Sequence, residues 1–174
     1  MKKAIGKFLL KGQLKNRVRH KRFHNFHSAK KVGILFNASD SKIYAESKIL
    51  LNYFTQKKIK TEGLGFADKD QMDSFYKTYT GFQFFCSKDF SFLGLPKSQV
   101  VRDFYEQEFD ILIDLSLSEN PLFSTICSLS RASFIVGSVK SRINEYDLLI
   151  DCNDGDNPEA FCIQMKHYLE SINT

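Results

Sequence analysis

The chain has 174 residues, 43% hydrophobic and 14% aromatic with no Trp, and it lacks any apolar run of the ~18 residues that a membrane-spanning helix needs. That size and apolar content fit one packed domain plus an extension, and exclude a miniature fold that depends on disulfides or metal for its core. The net charge of +5 conceals a division: residues 1–31 hold 11 Lys and Arg and no Asp or Glu, whereas residues 32–174 hold 14 basic and 20 acidic residues. The N-terminal arm is therefore formally +11 and the body −6, so any attraction to a polyanion must be led by the arm.

In chain order, KKAIGKFLLKGQL comes first and interleaves Lys with Ile5, Phe8, Leu9, Leu10 and Leu14, the pattern of an amphipathic helix. Lys7 and Lys11 interrupt its apolar stretch and no small-residue cleavage site follows, which argues against a secretory signal. KNRVRHKRFHNFH then places Lys15, Arg17, Arg19, Lys21 and Arg22 beside Phe23 and Phe26, with Lys30 close behind. Arg forks onto phosphate oxygens and aromatic rings stack on unpaired bases, so this composition points to structured RNA. Lys11, Lys15, Arg17, Arg19, Lys21, Arg22 and Lys30 are the candidate phosphate contacts, and Phe23 and Phe26 the candidate stacking or anchoring rings. A membrane surface is the alternative, since a basic amphipathic helix can lie among anionic headgroups. The apolar stripe is short and is weakened by Gly6 and Gly12.

Beyond Lys31 the pattern changes to that of an α/β domain. KKVGILFNASDS predicts a buried strand over Val32–Phe36 and a polar turn whose Asn37, Ser39 or Asp40 caps a helix over Ser41–Lys57. KIKTEGLGF predicts a second strand over Lys60–Phe66; DKDQMDSFYKTY is polar, a short helix or loop. A third strand is expected near Gln83–Cys86, with FQFFCSKDFSF as a hairpin edge in the alternative. Pro96 suits the first turn of a helix over PKSQVVRDFYEQE. FDILIDLSLS is the clearest strand, followed by a helix starting at Ser118 or Asn120 before Pro121. ASFIVGSV and YDLLIDC are further strands, and NPEAFCIQMKHYLESI is a closing amphipathic helix. Strands separated by helices predict a Rossmann-like three-layer domain with a mainly parallel sheet of five or six strands. The domain organisation is then a basic helical arm, 1–31, and an α/β body, 32–174.

In such sheets ligands bind outside the carboxyl ends of the strands. The loops there hold Asn37, Ser39, Asp114, Ser116, Ser138 and Asp151, a candidate polar pocket for a nucleotide, sugar or phosphate. The competing reading is helix capping, for which Ser, Asn and Asp are the preferred residues. NASDS lacks the Gly of a phosphate cradle, and neither GxGxxG nor a Walker sequence occurs. DCNDGD resembles a calcium loop but lacks its spacing and terminal Glu. Cys86, Cys127, Cys152 and Cys162 show no CxxC spacing and read as reduced thiols without disulfide partners. The residues thus call for no catalytic group, metal or cofactor.

The arm together with VGILFNASD, FDILIDLSLSENP and YDLLID resembles a family of short bacterial α/β proteins of uncharacterised function. That resemblance covers nearly the whole chain and implies a Rossmann-like body in a bacterial cytoplasmic protein. The body also resembles one half of a two-lobed glycosyltransferase, which implies a nucleotide-sugar enzyme only if a second lobe completes the site. The expectation is a non-enzymatic, cytoplasmic accessory protein whose arm holds ribosomal or other structured RNA and whose acidic body docks on protein, a ribosomal protein among the candidates. A peripheral membrane or translocon-associated protein and a small nucleotide-binding enzyme are the alternatives.

Overall fold

The fold is that of a computed structural model, which describes residues 12, 19–67, 79–141, 143–152 and 157–172. Its elements are β1 (Lys31–Asn37), α1 (Ser41–Gln56), β2 (Lys60–Phe66), β3 (Phe82–Phe85), α2 (Gln99–Tyr105), β4 (Ile111–Asp114), α3 (Pro121–Leu129), β5 (Phe134–Ser138), β6 (Leu148–Ile150) and α4 (Pro158–Ser171). All six strands are parallel, in the order β3-β2-β1-β4-β5-β6. This is the doubly wound Rossmann order, with its switch point between β1 and β4.

The strands form because short β-branched and aromatic runs are covered on both faces. In β1, Val32, Ile34 and Phe36 enter one core with Leu50 and Phe54 of α1 and Phe161, Met165 and Leu169 of α4. Leu35 faces the other way, into a core with Val101 and Phe104 of α2 and Phe123 and Ile126 of α3. The alternation of side chains along each strand thus feeds two layers of helix. Ile111 and Ile113 of β4 join the first core and Leu112 the second.

Helix starts follow the polar residues before them. Asp40 accepts the Lys42 and Ile43 amides at 2.9 and 3.1 Å, Asn120 accepts the Leu122 amide at 3.0 Å, and Asn157 accepts the Glu159 amide at 3.0 Å. Asn120 rather than Ser118 therefore begins α3, with Pro121 in its first turn. Two sequence expectations are corrected. Pro96 does not start α2, which begins at Gln99 after the N-cap Ser98; Pro96 instead forms an isolated antiparallel bridge with Phe90. The FQFFCSKDFSF stretch is not a hairpin edge: β3 pairs in parallel with β2, through Gly63↔Phe82 and Phe66↔Phe85. The DKDQMDSFYKTY stretch lies outside the described residues apart from its last Tyr79.

Residues 19–30, read from the sequence with the arm, pack on the body. The Arg22 amide donates to Ser133 O at 3.1 Å and the Phe26 amide to Leu169 O at 3.0 Å. Asn25 is buried; its Nδ2 donates to Ile172 O at 2.8 Å and its Oδ1 accepts the His27 and Ser28 amides. The Lys30 and Lys31 amides both donate to Asp110 Oδ2, at 2.7 and 2.9 Å. Ser133, Asp110 and Lys31 all precede or open their strands, so this segment crosses the amino-end edge of the sheet before entering β1.

Candidate functional site

Two ends of the sheet compete as the functional face. At the carboxyl end, the crevice between β1 and β4 is where a Rossmann fold holds a nucleotide, with the pyrophosphate on the first turn of the helix after β1. Here that turn is filled by the chain itself. Asn37 Oδ1 accepts the Ser39 amide at 3.0 Å, and the Asp40 carboxylate occupies the free amides of α1. An anionic ligand would meet a fixed carboxylate where the fold otherwise offers positive charge.

Across the crevice, Asp114 ends β4 fully buried. Its Oδ1 accepts the Ser116 amide at 2.7 Å, and its Oδ2 accepts the Tyr146 hydroxyl at 2.6 Å, with the Cys127 thiol 3.9 Å away. Burial pushes its carboxyl up to about 6 from 3.8, against the downward pull of the Tyr146 and Ser116 hydrogen bonds. Burial and the Asp114 charge likewise push the Tyr146 hydroxyl and Cys127 thiol upward, so neither is an activated nucleophile. Ser141 Oγ donates to Ser116 O at 2.5 Å and lies 3.2 Å from Ser116 Oγ. Tyr146 reaches Asp114 by lying across Gly137, where a Cβ would overlap its ring. The result is a closed hydrogen-bonded knot that ties the loop after β5 to the end of β4.

Of the six pocket candidates, the structure brings Asp114 and Ser116 together, but inside this knot. Ser138 is buried and its Oγ accepts the Lys140 amide at 3.2 Å. Asn37 serves the turn after β1, and Ser39 is half-buried beside it. Asp151 is exposed past β6, at the sheet edge and two strands from β4. Residues 153–156, the remainder of the acidic DCNDGD stretch, lie outside the described residues. Among the described residues, no group of three or more His, Cys, Asp or Glu is placed to hold a metal ion. Tyr146, Cys127 and Ser141 were not singled out as partners of Asp114 by the sequence; 32 residues separate Tyr146 from Asp114, with no local pattern linking them.

The amino end carries exposed cations interleaved with carboxylates. Lys21, Arg22, Lys30, Lys57, Lys58 and Lys60 are all exposed there. Arg19, by contrast, is largely buried: its guanidinium donates to Glu145 O at 2.9 Å and pairs with Asp147, which also pairs with Lys21 at 3.0 Å. Asp147 in turn accepts the Ile135 amide at 2.9 Å, so Arg19 clamps the start of β5 and β6. Phe23 packs edge-on to Phe134 at 5.0 Å, and Phe26 edge-on to Phe54 at 5.1 Å and Tyr53 at 5.9 Å. Phe26 is 4% exposed, so its ring is an internal anchor with no face open to a base. Lys11, Lys15 and Arg17 lie outside the described residues. His24, Asn25 and Asp110, unnoticed in the sequence, hold the segment in place; His24 is buried, with Nε2 3.8 Å from Asp110 Oδ1.

The fold and its two ends define a class: a Rossmann-order α/β protein whose helix after β1 is capped by its own Asp40, whose β4 carboxylate is held by Ser116 and Tyr146, and whose N-terminal segment lays exposed Lys21, Arg22 and Lys30 along the amino end. The chain belongs to the family described as "Family of unknown function (DUF6913)", whose model matches residues 2–172. No curated protein and no solved structure matches it. Among the described residues, no helix is long and apolar enough to cross a membrane.

Proposed function

We propose that this protein is a non-enzymatic, RNA-binding accessory protein of the bacterial cytoplasm, ribosome-associated, which grips structured RNA with its basic N-terminal segment and docks its acidic α/β body on a protein partner. The carrying observation is the charge division: 11 cations and no carboxylate in residues 1–31, against a formal −6 in the remainder. Counterion release from phosphates by such a segment supplies affinity without a built pocket. The self-capped first turn of α1 and the closed Asp114 knot favour this reading over a nucleotide-dependent enzyme. The buried thiols of Cys86, Cys127, Cys152 and Cys162 suit a reducing compartment.

The phosphate contacts assigned to the segment are Lys11, Lys15, Arg17, Lys21, Arg22 and Lys30; Arg19, Phe23 and Phe26 hold the segment to the body instead. Tagged full-length protein isolated from cells at low salt, with and without nuclease, tests the proposal. Ribosomal RNA and proteins that disappear after nuclease treatment support it. Recovery of the protein alone, or with lipid only, overturns it.

A further inference from the structure

The end of α1 carries a second basic feature. After the C-cap Lys57 comes Lys58, with φ of 59°. This left-handed position after a helix is normally taken by Gly, because a Cβ there crowds the neighbouring carbonyl. Lys58 is the non-glycine residue with positive φ among the described residues, and it is exposed. The chain thus holds a long cation at a position whose backbone favours the smallest residue.

Lys58 sits in a lysine-rich loop bordered by carboxylates. Its loop reads Lys57–Lys58–Ile59–Lys60, and the Lys60 amide donates to Lys30 O at 3.0 Å. The β1–β2 register sets Lys31 beside Lys60. Three carboxylates at this end are already engaged. Glu170 pairs with Lys57 at 3.3 Å and accepts the Tyr53 hydroxyl, Glu62 pairs with Lys60 at 3.5 Å and Lys31 at 3.8 Å, and Asp110 holds the Lys30 and Lys31 amides. Among the described residues, neither the Lys58 nor the Lys30 ammonium is in an ion pair. Ile59, the apolar residue of the loop, is buried at 7% exposure, which leaves nothing apolar there to enter a bilayer.

We infer that Lys30, Lys58 and Lys60 form a second phosphate-contact platform, continuous with the N-terminal segment, for the backbone of a folded RNA. The inference rests on the RNA reading above. The segment between Arg19 and Lys30 crosses the same amino-end edge, so an RNA held by it passes the platform. Lys58, at the end of α1, is the contact most separable from folding, because Gly suits its backbone better.

The test uses full-length protein and a fluorescently labelled RNA hairpin. Lys58→Gly is expected to weaken binding about threefold to tenfold at ~100 mM salt and to make the slope of log K against log salt shallower by about 0.7–0.9, the loss of one phosphate contact. Its melting temperature is expected to hold or to rise by about 2 °C. Lys58→Gln, which keeps the Cβ, must reproduce the affinity loss. Lys88→Gln removes one cation from the loop after β3, at the other end of the sheet, and must leave affinity unchanged. If both Lys58 variants bind the hairpin as the wild type does, or if Lys88→Gln weakens binding equally, the platform is wrong while the N-terminal reading stands. If the wild type ignores the hairpin and binds anionic vesicles instead, the RNA reading itself fails and the platform with it.

Discussion

Replacing Phe26 with Ala separates two accounts of the N-terminal segment. If its ring stacked on an RNA base, the variant would lose affinity and keep its stability. In the fold, the ring is 4% exposed, meets Phe54 and Tyr53 edge-on at 5.1 and 5.9 Å, and follows an amide bonded to Leu169 O at 3.0 Å. Truncating a buried Phe to Ala costs about 3–5 kcal/mol through lost transfer energy and the cavity left behind. Tyr53 is only half-buried, so the site can relax on that side, and about 3 kcal/mol is the expected loss. For a chain of this size that lowers the melting temperature by roughly 6–12 °C. Urea unfolding followed by circular dichroism measures it, with Ile163→Ala, at a side chain 57% exposed, as a control expected to cost under ~1 kcal/mol. A Phe26→Ala loss below about 1 kcal/mol, with RNA affinity falling more than about tenfold, would refute the internal-anchor account.

Two further results follow from the Asp114 knot. The Asp114 carboxyl is held up at about 6 by burial, against 3.8 ordinarily. Between those values the folded state binds more protons than the unfolded state, so the Asp114 contribution destabilises progressively as pH rises from about 4 to about 7. The melting temperature of Asp114→Asn should lack that fall, so the wild-type and variant curves diverge by the equivalent of roughly 2–3 kcal/mol across the window; parallel curves would contradict the assignment. Gly137→Ala must push the Tyr146 ring aside and break its bond to Asp114, costing about 2–4 kcal/mol, but should cost under ~1 kcal/mol in a Tyr146→Ala background. Additive effects in that double-mutant cycle would mean that the two residues are not in contact.

The elements of the body were legible because burial on both faces leaves an uninterrupted apolar run, as in VGILF and ILID, and because Asp40, Asn120 and Asn157 mark helix starts with side chains that can do little else there. The second strand, Lys60–Phe66, matches its sequence reading residue for residue. The strand order was not legible, since it depends on which strands meet after the chain crosses over, and no local pattern records that. Residues 19–30 were only partly legible for a related reason. Their charge density dominates any window, while Phe23, Phe26 and Ala29 find their partners on α1, α4 and β5, far along the chain. The candidate pocket was only half legible: Asp114 and Ser116 do meet, but the buried Tyr146 and Ser141 that occupy them lie some 30 and 25 residues further on. Lys58 was invisible as a special position because a lysine after a helix carries no sign of a left-handed backbone.

The most direct measurement is the salt dependence of RNA binding by the intact chain. Residues 1–18 alone carry Lys2, Lys3, Lys7, Lys11, Lys15 and Arg17. With each neutralised phosphate contributing about −0.7 to −0.9, fluorescence anisotropy on a labelled RNA hairpin between about 50 and 300 mM salt should give a log–log slope of about −4 or steeper. Binding that is flat across that range, or absent at its low end, would contradict the claim that a basic N-terminal segment holds RNA.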